Sequence, residues 1–174
     1  MENWRAVERF PLYEVSDLGR VKSAQRDRFG NLCAKSGGLL KPSLSLSGYL
    51  MVKLRHDGLM ERRSVHSLVA EAFLGPRPEG FVVMHLDDVS FHNRVQNLRY
   101  GTAAENREMA ARSLGSSTAK RSRCAYGHPL VEGNVAGFRR KVCRACFETY
   151  DPTTGFDHAA ADLAFLENAV RAFR

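Results

Sequence analysis

Phe81-Val82-Val83-Met84-His85 is an apolar run that ends on a histidine. Leu86-Asp87-Asp88-Val89-Ser90 follows with loop character, and Asn93, Asn97 and Asn106 come at widening intervals. The run predicts a strand. Thr102 and Glu105 stand in the S/T-x-x-E pattern of a capping box, so a helix begins near Thr102 and carries Asn106 on its first or second turn. Strand, loop and helix with polar residues at matched ends form a frame able to hold one hard cation beside a base.

Upstream, Tyr49-Leu50-Met51-Val52-Lys53-Leu54-Arg55 alternates at period two, and His56-Asp57-Gly58 supplies a turn. A β-hairpin is expected, its return strand passing Arg62 and Val65. Leu68, Val69, Ala72 and Phe73 then take helical spacing, and Gly75-Pro76 stops that helix. Leu163, Leu166, Val170 and Phe173 form a stripe at i, i+3, i+7 and i+10, which predicts an amphipathic helix packed on the protein's own body.

Cys124-Ala125-Tyr126-Gly127-His128 is followed by Cys143-Arg144-Ala145-Cys146. Thiolate and imidazole at these short paired spacings assemble a tetrahedral Zn²⁺ site, and four protein ligands leave no open position for a substrate. The expected role of Cys124, His128, Cys143 and Cys146 is therefore structural. Three of the four cysteines crowd into this stretch while Cys33 stands alone, which fits metal ligation in a reducing compartment better than a disulfide framework.

The 174 residues carry 26 Lys plus Arg against 19 Asp plus Glu, a net charge of +7 whose ordinary counterpart is a polyanion. Residues 115–150 hold seven of the basic side chains against two acids. Arg20, Lys22, Arg26 and Arg28 near the N-terminus, and Arg139, Arg140 and Lys141 beside the cysteines, are the candidate phosphate contacts. A chain that is 44% hydrophobic is not disordered, and no apolar run approaches a membrane span. A cytosolic protein is expected, bound to a nucleic acid and not to a membrane, with a monomer as the favoured state. The aromatic pattern of single-strand RNA readers is missing.

Val83-Met84-His85-Leu86-Asp87-Asp88, Asn93-Arg94-Val95-Gln96-Asn97-Leu98-Arg99-Tyr100, Thr102 and Glu105-Asn106 together resemble the signature of phage and intron-encoded HNH homing endonucleases. Trp4, Phe10-Pro11-Leu12-Tyr13-Glu14-Val15-Ser16 and Leu18-Gly19-Arg20-Val21-Lys22-Ser23 resemble the N-terminal DNA-binding element that accompanies them. His66-Ser67-Leu68-Val69-Ala70-Glu71-Ala72-Phe73 is similar to the segment before the catalytic strand. The cysteine pattern resembles the zinc knuckles found beside HNH domains.

The resemblance implies an α+β fold, a ββα-metal HNH core preceded by a small antiparallel β-sheet element. A small zinc-binding module and a C-terminal helix follow. The expected units are a β-rich DNA-binding element at 1–45, the nuclease core at 46–113, a zinc knuckle at 120–148 and the helix at 156–174. The implied activity is metal-dependent hydrolysis of a DNA phosphodiester bond, with His85 the general base that activates a water. Asn106 holds Mg²⁺ or Mn²⁺, and Asn97 orients His85 or braces the loop. Relatives place Asp, Asn or His before the catalytic His, where this chain has Met84, and a thioether is a poor ligand for Mg²⁺. Either Asp87, Asp88 or water completes the coordination, or the chain is a catalytically weak or inactive HNH-fold DNA-binding protein. His66 is read as structural, a hydrogen-bonding support for the core, and His56, His92 and His158 as surface residues.

Overall fold

Asp57 and Gly58 both have positive φ, 49° and 77°, the backbone of a tight hairpin turn. They join β5 (Leu50–His56) to β6 (Leu59–Ser64), the hairpin expected from the alternation. Val52 and Leu54 point into the core, while Lys53 and Arg55 point outward. The computed structural model describes residues 1–24, 38–114, 122–124, 126–131, 135–136, 142–154 and 157–172. Ahead of the hairpin, β1 (Trp4–Val7), β2 (Phe10–Ser16) and β3 (Val21–Ser23) form an antiparallel sheet in that order, and β4 (Ser43–Leu44) pairs with β5.

Helix α1 (Val65–Leu74) buries Val65, Leu68, Val69 and Ala70, and ends where Gly75 takes φ 93°. The helix joins the first sheet to the hairpin. Arg5 Nη1 donates to the Ala72 carbonyl at 2.9 Å, and the Arg55 N–H donates to Tyr13 Oη at 3.0 Å.

β7 (Phe81–His85) pairs antiparallel with β8 (Leu98–Thr102), placing His85 opposite Leu98, and α2 (Ala103–Leu114) follows directly. The capping box forms as the sequence predicts. The Thr102 N–H donates to Glu105 Oε2 at 2.6 Å, and the Glu105 N–H to Thr102 Oγ1 at 3.1 Å. This is the ββα unit.

Beyond it, β9 (Val135–Ala136) pairs with β10 (Val142–Cys143), α3 (Arg144–Thr149) follows, and α4 (His158–Ala172) packs on α3. One apolar cluster runs from Val15 and Val21 through Leu54 and Leu68 to Phe91, Val142 and Ala145, so the first sheet, the hairpin and the cysteine module share a core. Burying each such aliphatic side chain contributes roughly 1.5–3 kcal/mol.

The stripe expected to seat α4 is corrected. Leu163 and Leu166 are exposed at 60% and 59%, and the face that packs carries Ala161 and Asn168, with Phe165 partly buried. Small Ala161 allows the helix a close approach. Phe165 stacking on His128, at 5.9 Å between centroids, fixes the rotation that turns the leucines outward. Phe173 lies outside the described residues.

Candidate functional site: the His85 loop and the Cys/His cluster

β7 delivers His85 to a buried position, 7% exposed, where its Nε2 lies 3.0 Å from Asn93 Oδ1. With Oδ1 as acceptor, Nε2 carries the proton and Nδ1 is the basic atom of the ring. Tyr49 stacks on the imidazole with centroids 6.1 Å apart, and His66 meets it edge-on at 5.3 Å. Burial, then the nearby His85 and Arg77, push the pKa of His66 down to about 3, so this second imidazole stays uncharged. The hydrogen-bonding support expected of His66 is not seen at its buried Nδ1, which has no partner among the described residues. Its contribution is ring packing.

The connection from Leu86 to Asn97 is held from inside by Asp87. Its Oδ1 accepts from the Val89 N–H at 2.9 Å and from Asn97 Nδ2 at 2.9 Å, and its Oδ2 lies 2.6 Å from His92 Nδ1. Burial raises the Asp87 pKa, but the hydrogen bonds from His92, Asn97 and Val89 outweigh it and hold the carboxyl below the usual range. Asn97 also accepts from the Asp87 N–H at 3.1 Å and donates to the His92 carbonyl at 2.8 Å. Its contacts therefore brace the loop, whereas the amide that touches His85 belongs to Asn93. The sequence singles out Asn93 but gives it no role, because an i to i+8 contact across an irregular loop leaves no periodic signal.

His92 is corrected from the surface to the interior. It is 7% exposed, stacked on Tyr150 at 4.5 Å with an interplanar angle of 28°, and perpendicular to Phe91 at 4.7 Å. Its place between Phe91 and Asn93, five residues after Asp87, was the available signal.

Met84 alternates away from His85 on β7 and is fully buried. Its Sδ fills the space over Gly101, where any Cβ would overlap it. Asn106 is half-buried near the start of α2, and its amide oxygen is a hard donor suited to Mg²⁺ or Mn²⁺. Asp88 sits half-buried at φ 57°. A divalent ion here would rest on Asn106, phosphate oxygens and water, with nothing from Met84.

The loop is also gripped from the first sheet. The Val95 N–H donates to the Asp17 carbonyl at 2.8 Å, and Gly19, at φ 86°, passes so close to Asn93 that an added Cβ would lie 2.8 Å from the Asn93 Cβ. Arg20 pairs with Glu2, and Lys22 pairs with Glu14 at 2.7 Å while lying 4.2 Å over the Trp4 ring. Both candidate phosphate contacts are thus partly neutralised. Arg26, Arg28, Arg139, Arg140 and Lys141 lie outside the described residues. On the outer face of the hairpin, Lys53 stands directly opposite Arg62, with Arg55 nearby, all three exposed.

The second constellation gathers Cys124, His128, Cys143 and Cys146, whose ligand atoms all lie within 4.8 Å of one another. Gly127 at φ 87° makes the reversal that brings the Cys124 N–H to the His128 carbonyl at 2.9 Å. Cys143 and Cys146 lie at the start of α3. His128 Nδ1 faces the sulfurs, 3.1 Å from Cys146 Sγ, while Nε2 lies 2.7 Å from Asp162 Oδ1 on α4. A carboxylate behind a histidine fixes the tautomer that leaves the facing nitrogen basic, as metal-bound histidines require. Hydrogen bonding from Cys143 and Cys146 holds the Cys124 thiol below its ordinary range, and hydrogen bonding to Cys124 and Cys143 pushes Cys146 up. Three thiols and one imidazole, closed on all sides, fit a structural Zn²⁺.

Comparison with known proteins agrees with this geometry. Residues 2–55 match the NUMOD4 motif, and residues 63–108 match an HNH endonuclease family. The chain is 35% identical over 96 residues to DNA endonuclease I-HmuI of Bacillus phage SP01, covering 55% of this chain and 49% of that one. It is 32% identical over 110 residues to the HNH endonuclease L247 of Acanthamoeba polyphaga mimivirus, covering 60% of this chain and 25% of the viral protein. The chain thus spans about half the length or less of these curated relatives. A solved structure concerned with DNA binding and cleavage by I-HmuI superposes with a TM-score of 0.54 at 32% identity, covering 68% of this chain and 64% of that one. The chain therefore carries a NUMOD4 motif and an HNH endonuclease domain, and it is homologous to I-HmuI, whose fold it shares.

Proposed function

We propose that this chain is a metal-dependent endonuclease that binds double-stranded DNA and hydrolyses a phosphodiester bond, with His85 as general base. The observation that carries the reading is the buried His85–Asn93 contact at 3.0 Å, on the strand facing the helix that bears Asn106. His85 Nδ1 takes the proton of the attacking water, and Asn93 holds the ring in the required tautomer. Bound at Asn106, Mg²⁺ or Mn²⁺ would neutralise charge on the phosphate and the leaving 3′ oxygen. Asn97 keeps the loop closed. We assign Cys124, His128, Cys143 and Cys146 to one structural Zn²⁺, and we divide the chain into units at 1–45, 46–113, 120–148 and 156–174. Conversion of supercoiled plasmid to nicked circles in Mg²⁺ or Mn²⁺ tests the activity, and its absence in both metals would leave a DNA-binding protein.

That second reading is favoured by Met84 alone. Met84→Asp is expected to lower the Mg²⁺ concentration for half-maximal nicking, because it puts a hard oxygen at the chain position before His85, where relatives carry a metal ligand. Replacing the fully buried thioether by a carboxylate should cost at least about 2–5 kcal/mol of stability without metal, partly recovered when Mg²⁺ is added. The native protein should work better with Mn²⁺, which accepts softer ligands. A titration in which the variant gains nothing, while wild type already cleaves fully at low Mg²⁺, would show that Met84 does not limit the metal site.

DNA affinity is placed on the outer face of the β5–β6 hairpin together with the N-terminal element. Like charges directly opposite on a ladder are unfavourable, and Lys53 across from Arg62 is relieved when a phosphate lies between them. Lys53→Glu with Arg62→Glu should weaken binding to a short duplex of arbitrary sequence and lower the salt slope by about 1 for each phosphate that is no longer neutralised. An unchanged slope would move the DNA to another face.

A further inference from the structure

The loop that carries Asn93 is twelve residues long, from Leu86 to Asn97, and its regular structure is limited to one 3-10 turn at Val95–Asn97. A connection of that length wanders unless it is tied down. The side chains that tie its middle come from the cysteine module and from Tyr150, which caps its helix α3. Tyr150 stacks on His92 at 4.5 Å and meets Phe91 edge-on at 5.6 Å. Phe147, next to the ligand Cys146, meets Phe91 at 5.7 Å and 78°, and Tyr126, between Cys124 and His128, brings its hydroxyl to 3.4 Å from His92 Nδ1. One step further along the chain, Arg94 Nη2 donates to the Thr153 carbonyl at 3.1 Å.

We propose that the Cys/His module is a positioning device for the catalytic base, its three aromatic rings clamping Phe91 and His92 and thereby fixing Asn93 against His85. The inference rests on the nuclease reading given above and deepens it. Tyr126 and Phe147 are spaced along the chain by the ligands themselves, so metal binding sets the jaws. Gly19 and Asp17 close the opposite side of the loop. Tyr150 is a positioning residue, acting on the base through two intermediates, and a displacement of about 1 Å at a reacting group is enough to cost about 10²-fold.

The test compares wild type, Tyr150→Ala and Tyr150→Phe as full-length, zinc-loaded protein with supercoiled plasmid as substrate. Tyr150→Ala should lower kcat at least about tenfold with KM for plasmid unchanged. Tyr150→Phe keeps the stack and should retain wild-type kcat. The second readout needs no turnover. Nitrogen-15 spectra of the His85 ring should show one Nε2–H tautomer in wild type and Tyr150→Phe, and an averaged pattern in Tyr150→Ala. Phe147→Leu, which keeps apolar volume but removes the ring edge at Phe91, is the variant to use if Tyr150→Ala does not retain one zinc per chain, and it should move both readouts in the same direction. A rise in KM alone, with kcat and the His85 ring signals as in wild type, overturns the clamp and leaves the module as a DNA grip. Should wild type fail to nick, the nuclease reading fails, while the His85 spectra still decide whether the rings hold the loop.

Discussion

His85→Ala is expected to lose at least about 10²-fold in nicking rate, the typical contribution of a general base, while its affinity for duplex DNA stays close to wild type. The reason lies in what surrounds the ring. His85 is buried with Nε2 pinned to Asn93, and its neighbour His66 has no partner at Nδ1 among the described residues, so of these two imidazoles His85 is the one whose basic nitrogen is held in one orientation. Removing it also strands the Asn93 carbonyl in a buried site, at a cost of about 1–3 kcal/mol. Stability must therefore be measured beside rate. A variant that melts slightly earlier, binds DNA and does not nick is the expected result, and undiminished cleavage would sink the assignment.

The second large effect is expected from the metal of the cysteine module. Metal analysis should find one zinc per chain, and Cys146→Ser or a strong chelator should unfold the module, because apparent zinc-binding energies of roughly 10–16 kcal/mol are folding energy in sites of this kind. The ligand atoms converge within 4.8 Å and His128 is oriented by Asp162, so the site is built to receive the ion. Thiols must lose protons to bind it, and the affinity should fall as pH falls. Acidification and chelation should thus produce the same change in circular dichroism. A zinc content near zero in protein purified without chelator, or a Cys143–Cys146 disulfide, would refute the assignment.

Local signals carried much of the fold. The Asp57-Gly58 turn, the Thr102–Glu105 capping box and the spacing of Leu68 and Val69 each act over a few residues, and the backbone follows them. What local pattern could not show was rotation and long-range contact. Leu163 and Leu166 are spaced as an inner stripe, yet the helix turns them to solvent because Ala161, Phe165 and the Asp162–His128 contact set its angle. His92 reads as an ordinary polar loop residue until Tyr150, far along the chain, is placed against it. At the site, His85 stood out in the sequence through its neighbours. Asn93 did not, because its part depends on how an irregular loop folds back on the strand before it.

Gly19 gives the architecture a rule for grafting. Its backbone lies against Asn93 with no room for a side chain, so the first sheet is moulded to the loop that carries Asn93. A hybrid that joins this loop to a first sheet from another protein must keep the fit at this turn. A donor sheet bearing a bulkier residue there would press Asn93 away from His85. Sheet and loop can be exchanged only as a matched pair, because one missing side chain keeps them compatible.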